Sequence, residues 1–80
     1  MKEEILFFSA PWCSPCKHMK TMLTESIRHE LNLKIIDITK DMEIAAEYKV
    51  MNVPTFVKIK DDKVVSRKVG TTTIEKLKLL

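Results

Sequence analysis

The chain has 80 residues, of which 45% are apolar and 31% are charged, and its formal net charge is +3. This length allows one domain, residues 1–80, with a thin core, because so short a domain buries only about 60% of its unfolded surface. One Gly and three Pro exclude collagen-like and low-complexity classes. The small positive charge is too weak to predict a nucleic-acid partner.

The apolar runs are too short for a membrane span. The longest, Ile5 to Phe8, falls far below the ~20 residues that a spanning helix needs. The first four residues carry two acidic side chains, whereas a secretory signal begins with basic ones. Two cysteines are also fewer than a small secreted disulfide scaffold uses. We therefore expect a cytoplasmic protein that does not contact membranes.

The first predicted element is a strand, Ile5 to Phe8, because a short continuous apolar run is typical of a strand buried on both faces. A helix is predicted over residues 14–30, since apolar residues recur every three or four positions and Pro15 suits its first turn. These apolar residues are Met19, Met22, Leu23, Ile27 and Leu31.

The second half of the chain predicts two further strands, a short helix between them and a returning strand. Leu33 to Ile38 is the second strand, and Pro54 ends the short helix, because a residue preceding proline avoids helical geometry. Thr55 to Ile59 and Val64 to Val69 predict a hairpin joined by Asp61-Asp62. One side of the short helix is predicted to carry Ile44, Ala45 and Tyr48.

A capping box predicts the start of the last helix, with Thr72 as N-cap and Glu75 three residues later. Its inward residues are predicted to be Ile74, Leu77 and Leu80. The element order is therefore β-α-β-α-β-β-α. Strands separated by helices pair in parallel and the hairpin pairs antiparallel, which predicts an α/β fold with a mixed four-stranded sheet flanked by three helices.

The segment between the first strand and the long helix contains both cysteines. Cys13 and Cys16 are three residues apart, so a helix places them on one face and close enough for a disulfide. A helix N-terminus stabilises a thiolate, and Lys17 adds a positive charge beside it. This predicts Cys13 as the nucleophile and a more buried Cys16 that resolves a mixed disulfide.

Two other interpretations of the cysteines are simple packing and metal binding. Packing alone does not require a tryptophan and a proline around both cysteines at a helix start. A structural zinc site takes four ligands. His18 points away from the face that carries the sulfurs, and His29 lies roughly 20 Å further along the helix. One chain is therefore predicted to hold no metal, although two chains that share their cysteines have enough ligands.

Three segments resemble landmarks of the thioredoxin family. Trp12 to Lys17 is similar to its active-site motif, Asn52 to Thr55 to its cis-proline loop, and Lys68 to Gly70 to the segment before its last helix. The resemblance covers nearly the whole chain in the family's order. It implies a thioredoxin-like fold that lacks the additional N-terminal strand and helix of full-length thioredoxins. It also implies a cis peptide bond before Pro54.

The resemblance further implies a thiol–disulfide oxidoreductase that reduces protein disulfides by dithiol exchange, with Cys13 and Cys16 catalytic and Lys17 stabilising the thiolate. No bound cofactor is implied, because the two sulfurs carry both electrons. The implied partners are disulfide-containing proteins and a flavin-dependent reductase or glutathione that restores the dithiol, and a monomer is expected. The groove that binds the substrate would be framed by Trp12, Pro15, Val53, Pro54 and Gly70.

Four positions depart from the family pattern. Phe7 and Ile35 stand where an Asp and a Lys are usual, Thr21 replaces a helix-kinking proline, and Ser14 replaces a glycine. The sequence therefore names no base for the second cysteine. Two alternatives stay open: a glutathione-dependent, glutaredoxin-like reductase, which the short chain favours, and a non-catalytic binding module switched by redox state or by metal.

Overall fold

The computed structural model describes residues 3–80, and its centre is a four-stranded sheet with the order β2-β1-β3-β4. β1 pairs in parallel with β2 and antiparallel with β3, and β3 pairs antiparallel with β4. The predicted mixed sheet is thus confirmed. The strands are β1 (Glu3–Ser9), β2 (Leu33–Asp37), β3 (Thr55–Lys60) and β4 (Lys63–Val69).

In the part of the chain that the structure describes, four helices flank the sheet, one more than predicted, because the helix expected over residues 14–30 is divided. At the division the backbone of Thr24 is extended, and its hydroxyl accepts a hydrogen bond from the Ile27 N–H, which starts a new helix. No helix within residues 3–80 is both long enough and apolar enough to span a membrane. The helices are α1 (Ser14–Met22), α2 (Glu25–Leu31), α3 (Met42–Glu47) and α4 (Ile74–Lys78).

The cap of α4 also differs from the prediction. The Thr73 hydroxyl, not that of Thr72, accepts the hydrogen bond from the Lys76 N–H, at 3.1 Å. The Thr72 hydroxyl is buried and has no hydrogen-bond partner within residues 3–80. As predicted, Leu77 is buried, and Ile74 and Leu80 pack against the same core. Burial of these side chains sets the register of α4 and places Thr73 at its start.

The sheet separates two apolar cores. Phe7 points into the core that contains both cysteines, whereas Leu6 and Phe8 point into the opposite core beside α3, as the alternation of side chains along a strand requires. Ile5 to Phe8 are all buried, which confirms a strand covered on both faces. The cysteines therefore lie at one end of a central strand with rigid support on each side.

The hairpin turn is confirmed as well. Asp61 and Asp62 both have positive φ, 51° and 66°, and they join the paired residues Lys60 and Lys63. Positive φ at both central residues gives the twist that a two-residue hairpin favours. The turn lies at the end of the sheet opposite the cysteines, since β3 begins near them and ends at Lys60.

Candidate active site

Cys13 and Cys16 lie where β1 passes into α1 and are joined by a disulfide, with Cα atoms 5.2 Å apart. Cys13 is the N-cap of α1, and its Sγ accepts a hydrogen bond from the Cys16 N–H at 3.2 Å. Pro15 occupies the first turn, where its missing N–H leaves no helical bond unmade. The Cys16 N–H and the positive end of the helix dipole are thus directed at the Cys13 sulfur.

The surroundings of Cys16 are apolar. Its side chain is fully buried in a core that includes Met19 and Leu23. Phe7 and Phe56 stack in the same core, with ring centroids 4.6 Å apart and planes at 16°. Within residues 3–80, the only buried polar residues are serine and threonine, so no buried carboxylate or amine serves this core. Phe7 fills the position where the family resemblance would have an Asp.

The proline loop lies against this core. The Val53–Pro54 peptide bond is cis, as the resemblance implied. Val53 packs against the core that contains the cysteines. The Gly70 N–H donates to the Pro54 carbonyl at 2.8 Å, and the Thr55 hydroxyl donates to the Asn52 carbonyl at 2.6 Å. The structure therefore brings together the three segments that the sequence analysis singled out.

Gly70 has a φ of +93°, a backbone conformation that favours glycine over residues with a side chain. A Cβ built on Gly70 would meet no atom within 4 Å, so backbone conformation rather than space explains the glycine. This conformation turns the chain from β4 towards α4 and keeps the Gly70 N–H aimed at Pro54.

Each of the three site segments carries or adjoins a large exposed apolar side chain. Trp12, next to Cys13, is 69% exposed, and Val69, next to Gly70, is 52% exposed. Met51, directly before the proline loop, is 87% exposed and was not predicted. Its signal was an apolar residue next to a loop already assigned to substrate binding. Exposed apolar groups near one disulfide make a surface suited to an apolar partner segment.

Arg67 holds the segment before the proline loop and was also missed. Its Nη1 donates to the Lys49 carbonyl at 3.2 Å and its Nη2 donates to the Tyr48 carbonyl. These carbonyls follow the end of α3, where backbone oxygens lack helical partners. The Val50 N–H completes the anchor by donating to the Ala45 carbonyl at 2.9 Å. No local pattern predicts the Arg67 contacts, because they join β4 to a loop 18 and 19 residues away.

Charged side chains also lie close to the cysteines along the chain. Lys17 is exposed on α1 directly after Cys16. Asp37 ends β2 opposite Ser9, and its carboxylate accepts hydrogen bonds from the Thr39 hydroxyl at 2.6 Å and from its N–H at 2.8 Å. These bonds hold the pKa of Asp37 below its usual value.

Within residues 3–80, no three His, Cys, Asp or Glu side chains are grouped as a metal site would require. His18 and His29 are both exposed on helix surfaces. The cysteine sulfurs are bonded to each other. The arrangement is suited to the making and breaking of that sulfur–sulfur bond.

Comparison with known proteins agrees with this arrangement. The thioredoxin family model matches residues 1–80. Thioredoxin of Bacillus subtilis is 38% identical over 76 residues, which cover 91% of this chain and 73% of that protein. Thioredoxin C-2 of Corynebacterium nephridii is 36% identical over 73 residues, 88% of this chain and 68% of that protein. The X-ray structure of Fasciola hepatica thioredoxin has a TM-score of 0.83 at 33% identity, covering 98% of this chain and 76% of that one.

Proposed function

Because this chain belongs to the thioredoxin family and is a thiol–disulfide oxidoreductase, we propose that it reduces protein disulfides through Cys13 and Cys16. The observation that carries the proposal is the disulfide between them at the N-terminus of α1. Cys13 is the proposed nucleophile, because its Sγ already accepts the first-turn N–H that would stabilise a thiolate. Lys17, one residue beyond Cys16, adds positive charge to the same helix end.

In the first step, the Cys13 thiolate attacks one sulfur of a substrate disulfide. The substrate S–S bond breaks, a mixed disulfide forms on Cys13, and the departing substrate thiolate takes a proton from water. In the second step, Cys16 attacks the Cys13 sulfur and releases the second substrate thiol. Two electrons have then passed to the substrate, and the chain is left with the Cys13–Cys16 disulfide.

Among residues 3–80, no buried carboxylate or amine is present to accept the proton of Cys16. The nearest side chains are apolar, and burial of this kind disfavours a thiolate. In the proposed mechanism, the departing substrate sulfur accepts this proton as the mixed disulfide breaks. Resolution of the mixed disulfide is therefore the step most sensitive to the leaving thiol.

An extended segment of the substrate protein would bind in the groove around Cys13. Trp12 and Pro15 would lie on one side of it, and Val53, Pro54 and Gly70 on the other. The hydrogen bond between Gly70 and Pro54 supports this proposal, because it holds two of these residues together. The Val53 backbone would add main-chain hydrogen bonds to the extended segment, as in β-augmentation.

In this proposal residues 1–80 act as one domain that binds no cofactor. A partner would regenerate the dithiol. A flavin-dependent reductase or glutathione would supply the electrons. A reducing compartment favours the reductive direction, since about 30 mV of potential difference corresponds to ~1.4 kcal/mol for a two-electron exchange.

Reduction of insulin by dithiothreitol tests the proposal. The wild-type chain should accelerate it, and Cys13→Ser should abolish the acceleration. Cys16→Ser, reduced and then freed of dithiothreitol before insulin is added, should complete one attack and stop, so mass spectrometry should detect a covalent adduct with an insulin chain. Turnover by Cys16→Ser with glutathione would instead support the glutaredoxin-like alternative. Binding of insulin chains without reduction by any form would support the binding-module alternative.

The midpoint potential of the cysteine pair gives a second measurement. Trp12 is the only tryptophan and precedes Cys13, so its fluorescence should follow the disulfide in graded thiol buffers. A midpoint near −270 mV, about the value of thioredoxin, would support protein-disulfide reduction. A midpoint near −200 mV would favour the glutaredoxin-like alternative.

A further inference from the structure

Acidic residues are absent from three stretches of the chain that contain the cysteines, the proline loop and Gly70. Residues 10–22, 48–60 and 63–73 contain no Asp or Glu, so all 11 acidic residues of the chain lie elsewhere. The same segments contain eight of the 14 Lys and Arg residues. The net charge of +3 therefore conceals a strong separation of charge along the chain. The eight are Lys17, Lys20, Lys49, Lys58, Lys60, Lys63, Arg67 and Lys68.

Four of these eight side chains contact other groups or lie at the far end of the sheet from the cysteines. Lys58 and Lys60 approach the Glu3 carboxylate at 3.5 and 3.8 Å. Glu3 begins β1 whereas the cysteines follow its end, and seven residues of strand correspond to roughly 20 Å. Lys63 lies at the same far end, paired with Lys60. Arg67 is occupied by the carbonyls that follow α3.

Of the other four, Lys20 faces Asp37, and three exposed lysines are left, one from each segment. Lys17 directly follows Cys16. Lys49 lies two residues before Met51, between α3 and the proline loop. Lys68 lies two residues before the glycine that donates to the Pro54 carbonyl. We call Lys17, Lys49 and Lys68 the cationic rim.

Asp61 and Asp62, which adjoin two of these segments in sequence, lie in the hairpin turn at the end of the sheet opposite the cysteines. Asp37 is held by its Thr39 hydrogen bonds and is faced by Lys20 and Lys40, which add to the lowering of its pKa. Glu47 ends α3 and Glu75 lies in the first turn of α4, each outside these segments.

We propose that the surface around the Cys13–Cys16 disulfide selects partner disulfides whose cysteines are flanked by Asp or Glu in an extended segment. The exposed apolar surface of Trp12, Met51 and Val69 receives the segment, and the cationic rim receives its carboxylates. The inference rests on the proposed function and names its substrate class. Each exposed charge pair contributes only a few-fold in water, so three lysines together give about a tenfold preference.

Matched peptide disulfides test this preference. Three peptide disulfides would be compared that are identical except for the residues flanking the cysteine, which are two Glu, two Gln or two Lys on each side. Each would be mixed with the reduced chain in a stopped-flow instrument. Trp12 fluorescence would give the second-order rate constants. At low ionic strength, the Glu peptide should react about ten times faster than the Lys peptide. The ratio should shrink towards one in 0.5 M salt, because exposed charges are then screened.

Charge-reversal variants locate the effect. Lys49→Glu and Lys68→Glu should each lower the Glu-to-Lys rate ratio several-fold. Lys63→Glu makes the same change of net charge on the same strand as Lys68, but about 17 Å away. It should leave the ratio close to its wild-type value. Circular dichroism would show that each variant is folded.

The outcomes separate the two proposals. Equal rates for the three peptides at low salt would overturn the substrate preference and leave disulfide reduction intact. Failure to reduce any peptide would overturn the proposed function itself. A fall in the ratio as large for Lys63→Glu as for Lys68→Glu would assign the preference to net charge, which overturns the role of the cationic rim.

Discussion

The stacked pair Phe7 and Phe56 should be energetically coupled, because both rings are fully buried and their centroids lie 4.6 Å apart. Phe56→Leu loses apolar contact and leaves a small cavity, at a cost of about 1.5 kcal/mol. Loss of the aromatic pair adds about 1 kcal/mol. A chain of 80 residues has roughly 4–12 kcal/mol of stability, so the variant should stay folded. Its Tm should fall by about 10–20 °C.

The coupling is measured by a double-mutant cycle in urea, on the oxidised protein, with Phe7→Leu, Phe56→Leu and the double variant. The double variant should cost about 1 kcal/mol less than the sum of the single variants, since one stack is lost only once. Additivity within about 0.4 kcal/mol would refute the reasoning. Ile59→Val, in the opposite core, is the matched control and should be additive with Phe7→Leu.

Three further outcomes are expected. Arg67→Met should raise the KM for a protein disulfide on the order of threefold or more, because the proline loop positions only the larger substrate, and the rate with a small disulfide should change less. Arg67→Lys should bring the KM part of the way back to the wild-type value. An equal loss of activity with both substrates would contradict the positioning role. Thr73→Ala should lower the free energy of unfolding in urea by about 1 kcal/mol, because Thr73 caps α4. Thr72→Val should be neutral or stabilising, because the buried Thr72 hydroxyl has no partner within residues 3–80. The reverse ranking would mean that Thr72 caps α4. Asp37 stabilises the fold above its unfolded pKa near 3.8, and this contribution should disappear as the pH falls through its lower folded pKa. In urea melts from pH 6 to 2, Asp37→Asn should therefore lose less stability on acidification than the wild type. Identical pH profiles for the two proteins would argue against a stabilising role of Asp37.

Local patterns in the sequence are sufficient to predict the strands and the position of the cysteines at the start of a helix. The run Ile5 to Phe8 predicted a strand buried on both faces, and the Asp61-Asp62 pair predicted the hairpin turn. Both depend on neighbours within a few residues. The grouping of the three site segments came from the family resemblance, because no local rule places a proline loop beside a helix start some 38 residues earlier.

The failures have physical causes. Apolar periodicity continues through Leu23 and Ile27, so it did not reveal that Thr24 caps a second helix. Thr72 and Thr73 are chemically equivalent caps, and burial of Leu77 decides between them. Contacts between distant segments, such as those of Arg67, have no local signature at all.

The order of strands also affects how the chain folds during synthesis. β1 is central in the sheet yet first in sequence, so its parallel partner exists only after residue 37 and its antiparallel partner only after residue 60. Until then the four-residue apolar run in β1 has no sheet to cover it, and such exposed strands are prone to aggregate or to bind chaperones. The sheet closes only when β3 arrives, which makes this fold rich in long-range pairings and comparatively slow to form. Ribosome-bound chains that end before residue 55 should accordingly be protease-sensitive throughout β1.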